Sequence, residues 1–230
     1  MAAMFDDIAP VYDRMNTVMT FGFDARWRHA AVEATRIGVG GSVIDVASGT
    51  GKLALELADR VGPFGRVLAV DLSPGMIRRA AATHRDVVQL EFRVGNALDL
   101  PARDGEFDAA TIAFGLRNLA DFEGGFRELR RVVRPGGRVV CLELTTPSPR
   151  LWGRLFRAAF RRLAPLGGKL LGRAAAYRYL PASLEGFPDP DALASTMRHV
   201  GLVDVGYRRL GLGSVAVHTG VVPGDARSTT

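Results

Sequence analysis

The sequence is poor in cysteine and has neither a long apolar run nor a basic leader. Cys141 is the single cysteine among 230 residues, so an internal disulfide is excluded and nothing favours secretion. No apolar run reaches the roughly 18 residues of a membrane span. The first residues lack the basic and apolar regions of a signal peptide, so we expect a cytoplasmic protein.

Acidic residues are missing from one window, residues 145–183. The other 22 of the 30 basic residues are matched by 24 acidic ones, so the net charge of +6 arises in this window. A concentration of charge of one sign predicts a partner or a solvated surface. The eight basic residues of the window are Arg150, Arg154, Arg157, Arg161, Arg162, Lys169, Arg173 and Arg178.

Length and composition favour one globular domain. At roughly 150 residues per domain, 230 residues leave no room for two ordinary domains. Hydrophobic residues are 47% and charged residues 23%, which excludes a disordered or fibrous chain. We predict one domain over residues 1–222 and a flexible tail over 223–230. Within the domain we expect a helical cap over 1–40 and a basic helical insertion over 146–186.

Short apolar segments alternate with helical patterns along the middle of the chain. This alternation predicts an α/β fold with a parallel sheet covered on both faces. The last two strands are separated by a short glycine-containing turn, which predicts an antiparallel pair at one sheet edge. Strands are expected over 42–46, 66–70, 88–94, 107–114, 138–144, 203–210 and 214–220. Helices are expected over 5–16, 25–36, 53–61, 122–133 and 191–200, with one more opening at Ser73-Pro74.

A glycine loop, Asp45-Val-Ala-Ser-Gly49-Thr-Gly51, follows the first predicted strand. Glycines there tolerate positive φ and let the backbone approach a ligand. Asp71 ends the next strand, where a carboxylate can accept both ribose hydroxyls of an adenosine-containing cofactor. The spacing Gly49-x-Gly51-x-x-Ala54 also fits the looser dinucleotide fingerprint.

Two features favour S-adenosylmethionine over NAD. Asp45 lies in the strand before the loop, where a carboxylate can address the ammonium group of a methionine moiety, whereas a pyrophosphate has no use for it. No tyrosine is followed four residues later by lysine, the pair that a short-chain reductase would need.

Several further stretches carry a resemblance. Besides the glycine loop, they are Phe5-Asp-x-Ile-Ala-x-x-Tyr12-Asp-x-Met-Asn16, Arg26-Trp27-Arg28, Phe107-Asp-x-x-Thr-Ile-Ala-Phe-Gly115-Leu-Arg117-Asn118, Arg134-Pro-Gly-Gly137, Tyr177-x-Tyr-Leu-Pro-x-Ser183 and Phe187-Pro188. With these stretches the sequence resembles the UbiE/COQ5 family of quinone C-methyltransferases over about residues 4–222. The Phe-Gly-Leu-Arg-Asn and Tyr-x-Tyr-Leu elements are more specific than the glycine loop.

The resemblance implies a class I S-adenosylmethionine-dependent methyltransferase with a Rossmann-like, mostly parallel seven-stranded sheet and an antiparallel last strand. It implies C-methylation of a polyprenylated quinol, with demethylmenaquinol the favoured acceptor. Three alternatives stay open: a benzoquinol of ubiquinone synthesis, a secondary metabolite methylated on the same scaffold, and a non-catalytic, membrane-bound assembly partner. The intact Asp45, Gly49, Gly51 and Asp71 argue against the last.

The cofactor site implied by the glycine loop and the resemblance has nine members. Two positions depart from the family pattern, since the family often has Ser in place of Ala113 and Asp in place of Lys52. The amide of Asn96 is suited to the adenine edge. The nine residues are Asp45, Gly49, Thr50, Gly51, Asp71, Leu72, Asn96, Ala97 and Ala113.

Four residues are candidates for catalysis. A quinol becomes nucleophilic as its phenolate, and Arg117, which stays protonated, is suited to stabilise that anion or to hold a water that takes the proton. A loop-fixing salt bridge is the alternative role for Arg117. Asn118 would orient the network, Tyr12 would close over the methyl donor and Tyr177 would line the acceptor site. Packing is the alternative role for both tyrosines. No metal-ligand spacing occurs, so no metal is predicted.

The spacing of apolar and basic residues over 150–174 predicts a basic amphipathic helix, and the apolar residues continue after Pro165. Trp152 and Phe156 fall on the apolar face with the leucines, and the arginines take the other face. Such a helix can lie in a membrane interface on the inner face of the membrane. Its apolar face could equally line a tunnel for the prenyl tail, form a homodimer contact or pack on the sheet. The placement of the aromatics argues against nucleic acid.

Overall fold

The computed structural model describes residues 22–145 and 186–224, together with Asp13, Thr17 and Thr20. The described helices are α1 (Asp24–Thr35), α2 (Lys52–Val61), α3 (Pro74–Thr83), α4 (Phe122–Val132) and α5 (Pro190–His199). The strands are β1 (Ser42–Val46), β2 (Arg66–Asp71), β3 (Leu90–Val94), β4 (Phe107–Ala113), β5 (Val133–Leu144), β6 (Val203–Leu210) and β7 (Val215–Val221).

The seven strands form one sheet in the order β3-β2-β1-β4-β5-β7-β6. The first five strands are parallel, and β7 runs antiparallel to both β5 and β6. The predicted α/β class, the mostly parallel sheet and the antiparallel last pair are confirmed. Since the chain leaves β1 towards β2 and later returns to β4, the carboxyl ends of β1 and β4 flank a crevice, the usual ligand position in such sheets.

Helices cover both faces of the sheet. On one face α1 and α2 bury apolar side chains, among them Val32 and Leu57, against the strands. On the other face α4 and α5 contribute Phe126 and Met197 to a second cluster. The strands are apolar on both sides because both sides are covered. No helix in the described part of the chain is long and apolar enough to cross a membrane.

Two predicted strand starts differ from the structure by two residues or more, and three other strands have ends that differ by one residue. The third strand begins at Leu90, because the Leu90 amide donates to the Val87 carbonyl at 3.1 Å and closes a turn that leaves Val88 89% exposed. The fifth strand begins at Val133, before the Arg134–Gly137 stretch. There the Gly136 amide donates to the Val222 carbonyl at 2.9 Å, which keeps the glycine turn attached to the sheet.

Several sequence predictions lie outside the described residues. They are the helix over 5–16, nearly all of the 146–186 insertion with its basic segment, and most of the 223–230 tail. The division of the chain into cap, insertion and tail stays a prediction.

Candidate active site

The glycine loop is a tight turn between β1 and α2. The Ser48 amide donates to the Val70 carbonyl at 3.1 Å, and the Gly51 amide donates to the Ser48 carbonyl at 3.0 Å. Gly49 and Gly51 have φ values of 56° and 83°. A Cβ on Gly51 would lie 2.8 Å from Cε1 of Phe92. Backbone conformation and close packing therefore both require glycine at position 51.

Asp71, the last residue of β2, connects the glycine loop to the turn before α3. Its Oδ2 accepts from the Gly49 amide at 2.8 Å, and its Oδ1 accepts from the Ser73 amide at 2.8 Å. Ser73 in turn caps α3 by accepting from the Met76 amide at 3.0 Å. One carboxylate thus fixes two adjacent loops at the carboxyl edge of the sheet.

A cleft partly open to solvent lies at this edge. Ligand sites are usually concave and mostly apolar. Seven of the thirteen predicted site residues line it: Gly49, Asp71, Leu72, Asn96, Ala97, Ala113 and Asn118. The remaining lining residues are Val46, Ala47, Val70, Ser73, Met76, Gly95, Phe114, Gly115 and Leu119.

The far end of the cleft is built by Asn96 and Ala97, which follow β3. The Asn96 Oδ1 accepts from the Leu98 amide at 3.0 Å, so the Nδ2 donor is the group left to address a ligand. Gly95 approaches β2 closely, since a Cβ there would lie 2.8 Å from Cγ1 of Val70. Leu72, 53% exposed, adds an apolar side chain at the same end.

Asp45 lies beneath the loop rather than on the cleft wall. It is 1% exposed, and its Oδ1 accepts from the Thr111 hydroxyl at 2.7 Å. Its Oδ2 and the nearby Ser48 hydroxyl are buried without a hydrogen-bond partner within the described chain. Burial raises the pKa of Asp45 to about 7, with the charge of Asp71 adding to the rise and the Thr111 bond opposing it.

Thr50 and Gly51 also lie outside the cleft lining among the described residues. The Thr50 hydroxyl donates to Oδ1 of Asp13 at 2.6 Å, and Nζ of Lys52 lies 3.6 Å from the same oxygen. Nε2 of His84 lies 3.1 Å from the Thr50 carbonyl. Asp13 was missed as a site residue, although it stands in a stretch that carries the resemblance. Its position shows that Lys52 contributes a cation facing an acid from the N-terminal segment.

Arg117 does not face the cleft, although Gly115 and Asn118 on either side of it do. Its guanidinium Nη1 donates to the Phe114 carbonyl at 2.8 Å and forms a short ion pair with Oε1 of Glu143. The side chains of Arg117 and Glu143 are 7% and 1% exposed. Glu143 was missed, and the signal available was an acid within the otherwise apolar end of β5.

The predicted residues Tyr12 and Tyr177 lie outside the described part of the chain. Within the described part, no group of three or more histidine, cysteine, aspartate or glutamate side chains could hold a metal ion. Cys141 is buried, and burial raises the pKa of its thiol well above the ordinary value.

Solved structures with the same fold define the class. A possible histamine N-methyltransferase from Thermotoga maritima matches with a TM-score of 0.68 at 19% identity, over 96% of this chain and 99% of its own. A methyltransferase from Aquifex aeolicus that depends on S-adenosylmethionine matches with a TM-score of 0.62 at 17% identity, over 85% of this chain and 89% of its own. The fold is that of S-adenosylmethionine-dependent methyltransferases.

Sequence comparison then shows the family. The model of the ubiE/COQ5 methyltransferase family matches residues 1–222, so the chain belongs to that family and is a methyltransferase. A demethylmenaquinone methyltransferase from Thermus thermophilus is 44% identical over 96% of this chain and 100% of its own. A ubiquinone/menaquinone biosynthesis C-methyltransferase from Geobacter sulfurreducens is 40% identical over 94% of this chain and 86% of its own.

Proposed function

We propose that the protein transfers a methyl group from S-adenosylmethionine to a ring carbon of a polyprenylated quinol, converting demethylmenaquinol to menaquinol. The observation that carries the acceptor is the whole-length similarity to proteins named demethylmenaquinone methyltransferase, 44% identical in Thermus thermophilus and 40% in Desulfitobacterium hafniense. The family membership supports S-adenosylmethionine as the methyl donor.

The described residues fit that donor. Asp71 ends β2 on the cleft wall, as a ribose-binding carboxylate should. The buried Oδ2 of Asp45 lacks a partner in the described chain and would gain one from an ammonium group near the loop. Gly49, which lines the cleft with a φ of 56°, lets the loop backbone approach the ligand closely. When bound, the sulfonium supplies an activated methyl group, so these residues mainly position it.

The acceptor must become electron-rich at its ring carbon. We assign Arg117 to this task, because a guanidinium stays protonated and stabilises a phenolate. The assignment is supported by its place beyond β4, where its neighbours Gly115 and Asn118 line the cleft. From the family resemblance we also propose that Asn118 orients this network, and we keep Tyr12 and Tyr177, which lie outside the described residues, as the candidates for contact with the donor and the acceptor.

A benzoquinol is the second candidate acceptor. It is favoured by the relative from Geobacter sulfurreducens, whose name includes ubiquinone as well as menaquinone biosynthesis. No described residue distinguishes a naphthoquinol from a benzoquinol ring, so the two acceptors have to be separated by assay.

A direct comparison of acceptors tests the proposal. The full chain is given labelled S-adenosylmethionine with reduced demethylmenaquinone, a reduced demethylated benzoquinone or a small phenol. The proposal expects label on the naphthoquinol ring. Label on the benzoquinol alone would identify a benzoquinol, and not demethylmenaquinol, as the acceptor. Label on the small phenol alone would favour a secondary-metabolite enzyme. Label on none of the three would refute a quinol function.

Because a prenylated quinol resides in the bilayer, we also propose that the protein binds the membrane surface through residues 150–174. The eight basic residues of the acid-free window support an anionic surface. Sedimentation with vesicles of anionic or neutral lipid tests this, and equal binding to both would contradict it. A homodimer is a further possibility for the same segment, and analytical ultracentrifugation tests it.

A further inference from the structure

The pair formed by Arg117 and Glu143 lies at the carboxyl ends of neighbouring strands. Glu143 is the penultimate residue of β5, and Arg117 lies in the short turn after β4. The Phe114 amide donates to the Leu142 carbonyl at 2.8 Å, which keeps this turn against the end of β5. Phe114 also lines the cleft, so the pair stands directly behind the cleft wall.

The two carboxylate oxygens of Glu143 have different environments. Oε1 accepts from the Arg117 guanidinium and from the Leu144 amide at 2.8 Å. Oε2 accepts only the Arg117 amide, at 3.3 Å, among the described residues. Oε1 therefore anchors the side chain, and Oε2 keeps capacity for another hydrogen.

Charge balance limits what this pair can do with a quinol. At 7% and 1% exposure, Arg117 and Glu143 form a neutral unit that water hardly reaches. A phenolate formed next to the Glu143 carboxylate would be repelled by that negative charge at a site where water screens little. If the departing proton stays on Glu143, the site keeps its net charge, and Arg117 exchanges a carboxylate partner for a phenolate partner.

We propose that Glu143 is the proton acceptor of the reaction, taking the quinol hydroxyl proton on Oε2 through one water. The inference rests on the proposed quinol function. It assigns the proton to a group that can take it, which the permanently protonated Arg117 cannot.

The step balances as follows. The quinol O–H bond breaks, an O–H bond forms on Glu143, and the electron pair left on oxygen is delocalised onto the ring carbon. That carbon forms a C–C bond to the methyl group while the S–C bond breaks and its electron pair stays on sulfur. The ring then loses its C–H proton to solvent, and the ring oxygen takes back the proton from Glu143. One proton is released overall, and Glu143 and Arg117 return to their starting states.

The test compares two substitutions that a structural role and a proton role rank in opposite order. Glu143→Gln keeps the size of the side chain and an oxygen for the Arg117 and Leu144 donors, but it cannot take a proton. Glu143→Asp keeps the carboxylate and shortens the side chain. Glu56→Gln is the matched control, since Glu56 on α2 pairs with Arg28 of α1 at 3.0 Å and lies outside the cleft lining.

Melting temperature, S-adenosylmethionine affinity and single-turnover methyl transfer to reduced demethylmenaquinone are measured for each full-length variant. We expect Glu143→Gln to bind the donor within about twofold of wild type and to lose about 100-fold or more in rate. Glu143→Asp should retain more activity than Glu143→Gln, and Glu56→Gln should match wild type.

A Gln variant at least as active as the Asp variant would overturn the proposal while leaving the quinol function intact. If Glu143→Gln does not fold, the Asp variant decides, and a loss as large as about 100-fold in a folded, donor-binding protein overturns the proposal. Wild type that methylates no quinol would overturn both the proposed function and this inference. The wild-type reaction therefore distinguishes failure of the quinol function from failure of the role of Glu143 alone.

Discussion

Asp45 should make the binding of S-adenosylmethionine depend on pH near neutrality. In the ligand-free protein its side chain is 1% exposed, and burial raises its pKa to about 7. An ammonium group beside the carboxylate favours its charged form. The bound protein therefore holds Asp45 ionised, and donor binding is linked to the loss of its proton.

The size of the effect follows from the pKa of about 7. The ionised fraction of Asp45 falls from about one half at pH 7 to about 3% at pH 5.5. The Kd for S-adenosylmethionine should therefore rise about 15-fold from pH 7 to pH 5.5. At pH 7, binding should release about half a proton per protein.

Titration calorimetry at the two pH values, in buffers of different ionisation enthalpy, measures both quantities. Asp45→Asn should bind the donor more weakly at pH 7 and lose most of the pH dependence. A wild-type Kd that is the same at pH 7 and 5.5, or an Asn variant with the full dependence, would refute this role of Asp45.

Asp45 should also influence the stability of the ligand-free protein. Its pKa in the folded protein lies above the ordinary value of 3.8, so the folded state holds the proton more tightly than the unfolded chain. Its stabilising contribution is present below about pH 4 and is lost as pH rises through about 7. The difference is up to about 4 kcal/mol at 1.36 kcal/mol per pKa unit. Denaturant unfolding of wild type and Asp45→Asn across this interval checks it, and parallel curves would contradict it.

Three further substitutions, the first with Phe64→Ala as its control, test core packing, the cleft wall and a helix cap. Phe126→Ala removes a fully buried ring and should cost about 3–5 kcal/mol in denaturant unfolding, while Phe64→Ala, 86% exposed, should leave stability within about 0.5 kcal/mol. Gly115→Ala would place a Cβ 2.4 Å from the Cβ of Ala47 on the cleft wall, so S-adenosylmethionine should bind more weakly; unchanged calorimetric affinity would contradict the tight fit. Ser73→Ala removes the cap of α3 and should cost about 1 kcal/mol in thermal unfolding, and no loss would show that the cap is dispensable.

Much of the sheet was predictable because its signals are local. The helix start at Ser73-Pro74 and the strand end at Asp71 depend on residues next to each other in the sequence, and the structure has both at these positions. The start of β5 was not predictable in the same way. It depends on the pairing of Val133 with Phe107 and on the hydrogen bond from Gly136 to Val222, and the partners are far apart in the sequence.

The candidate site was predictable where a residue type has one evident use. Asp71, Asn96 and the loop glycines stand at strand ends, and parallel strands bring those ends together. The sequence did not indicate which side chains contact the predicted residues. Asp13 reaches Thr50 from 37 positions away, and Glu143 reaches Arg117 from 26 positions away, so each contact depends on the folded chain.

The central claim is methyl transfer to a reduced naphthoquinone, and one radiolabel measurement tests it most directly. Labelled S-adenosylmethionine is incubated with reduced demethylmenaquinone and either wild type or Arg117→Ala, and the quinone fraction is counted. The account predicts label in the product with wild type and a loss of about 100-fold or more with Arg117→Ala at unchanged donor affinity. Wild type that binds the donor and leaves the quinol unlabelled would contradict it.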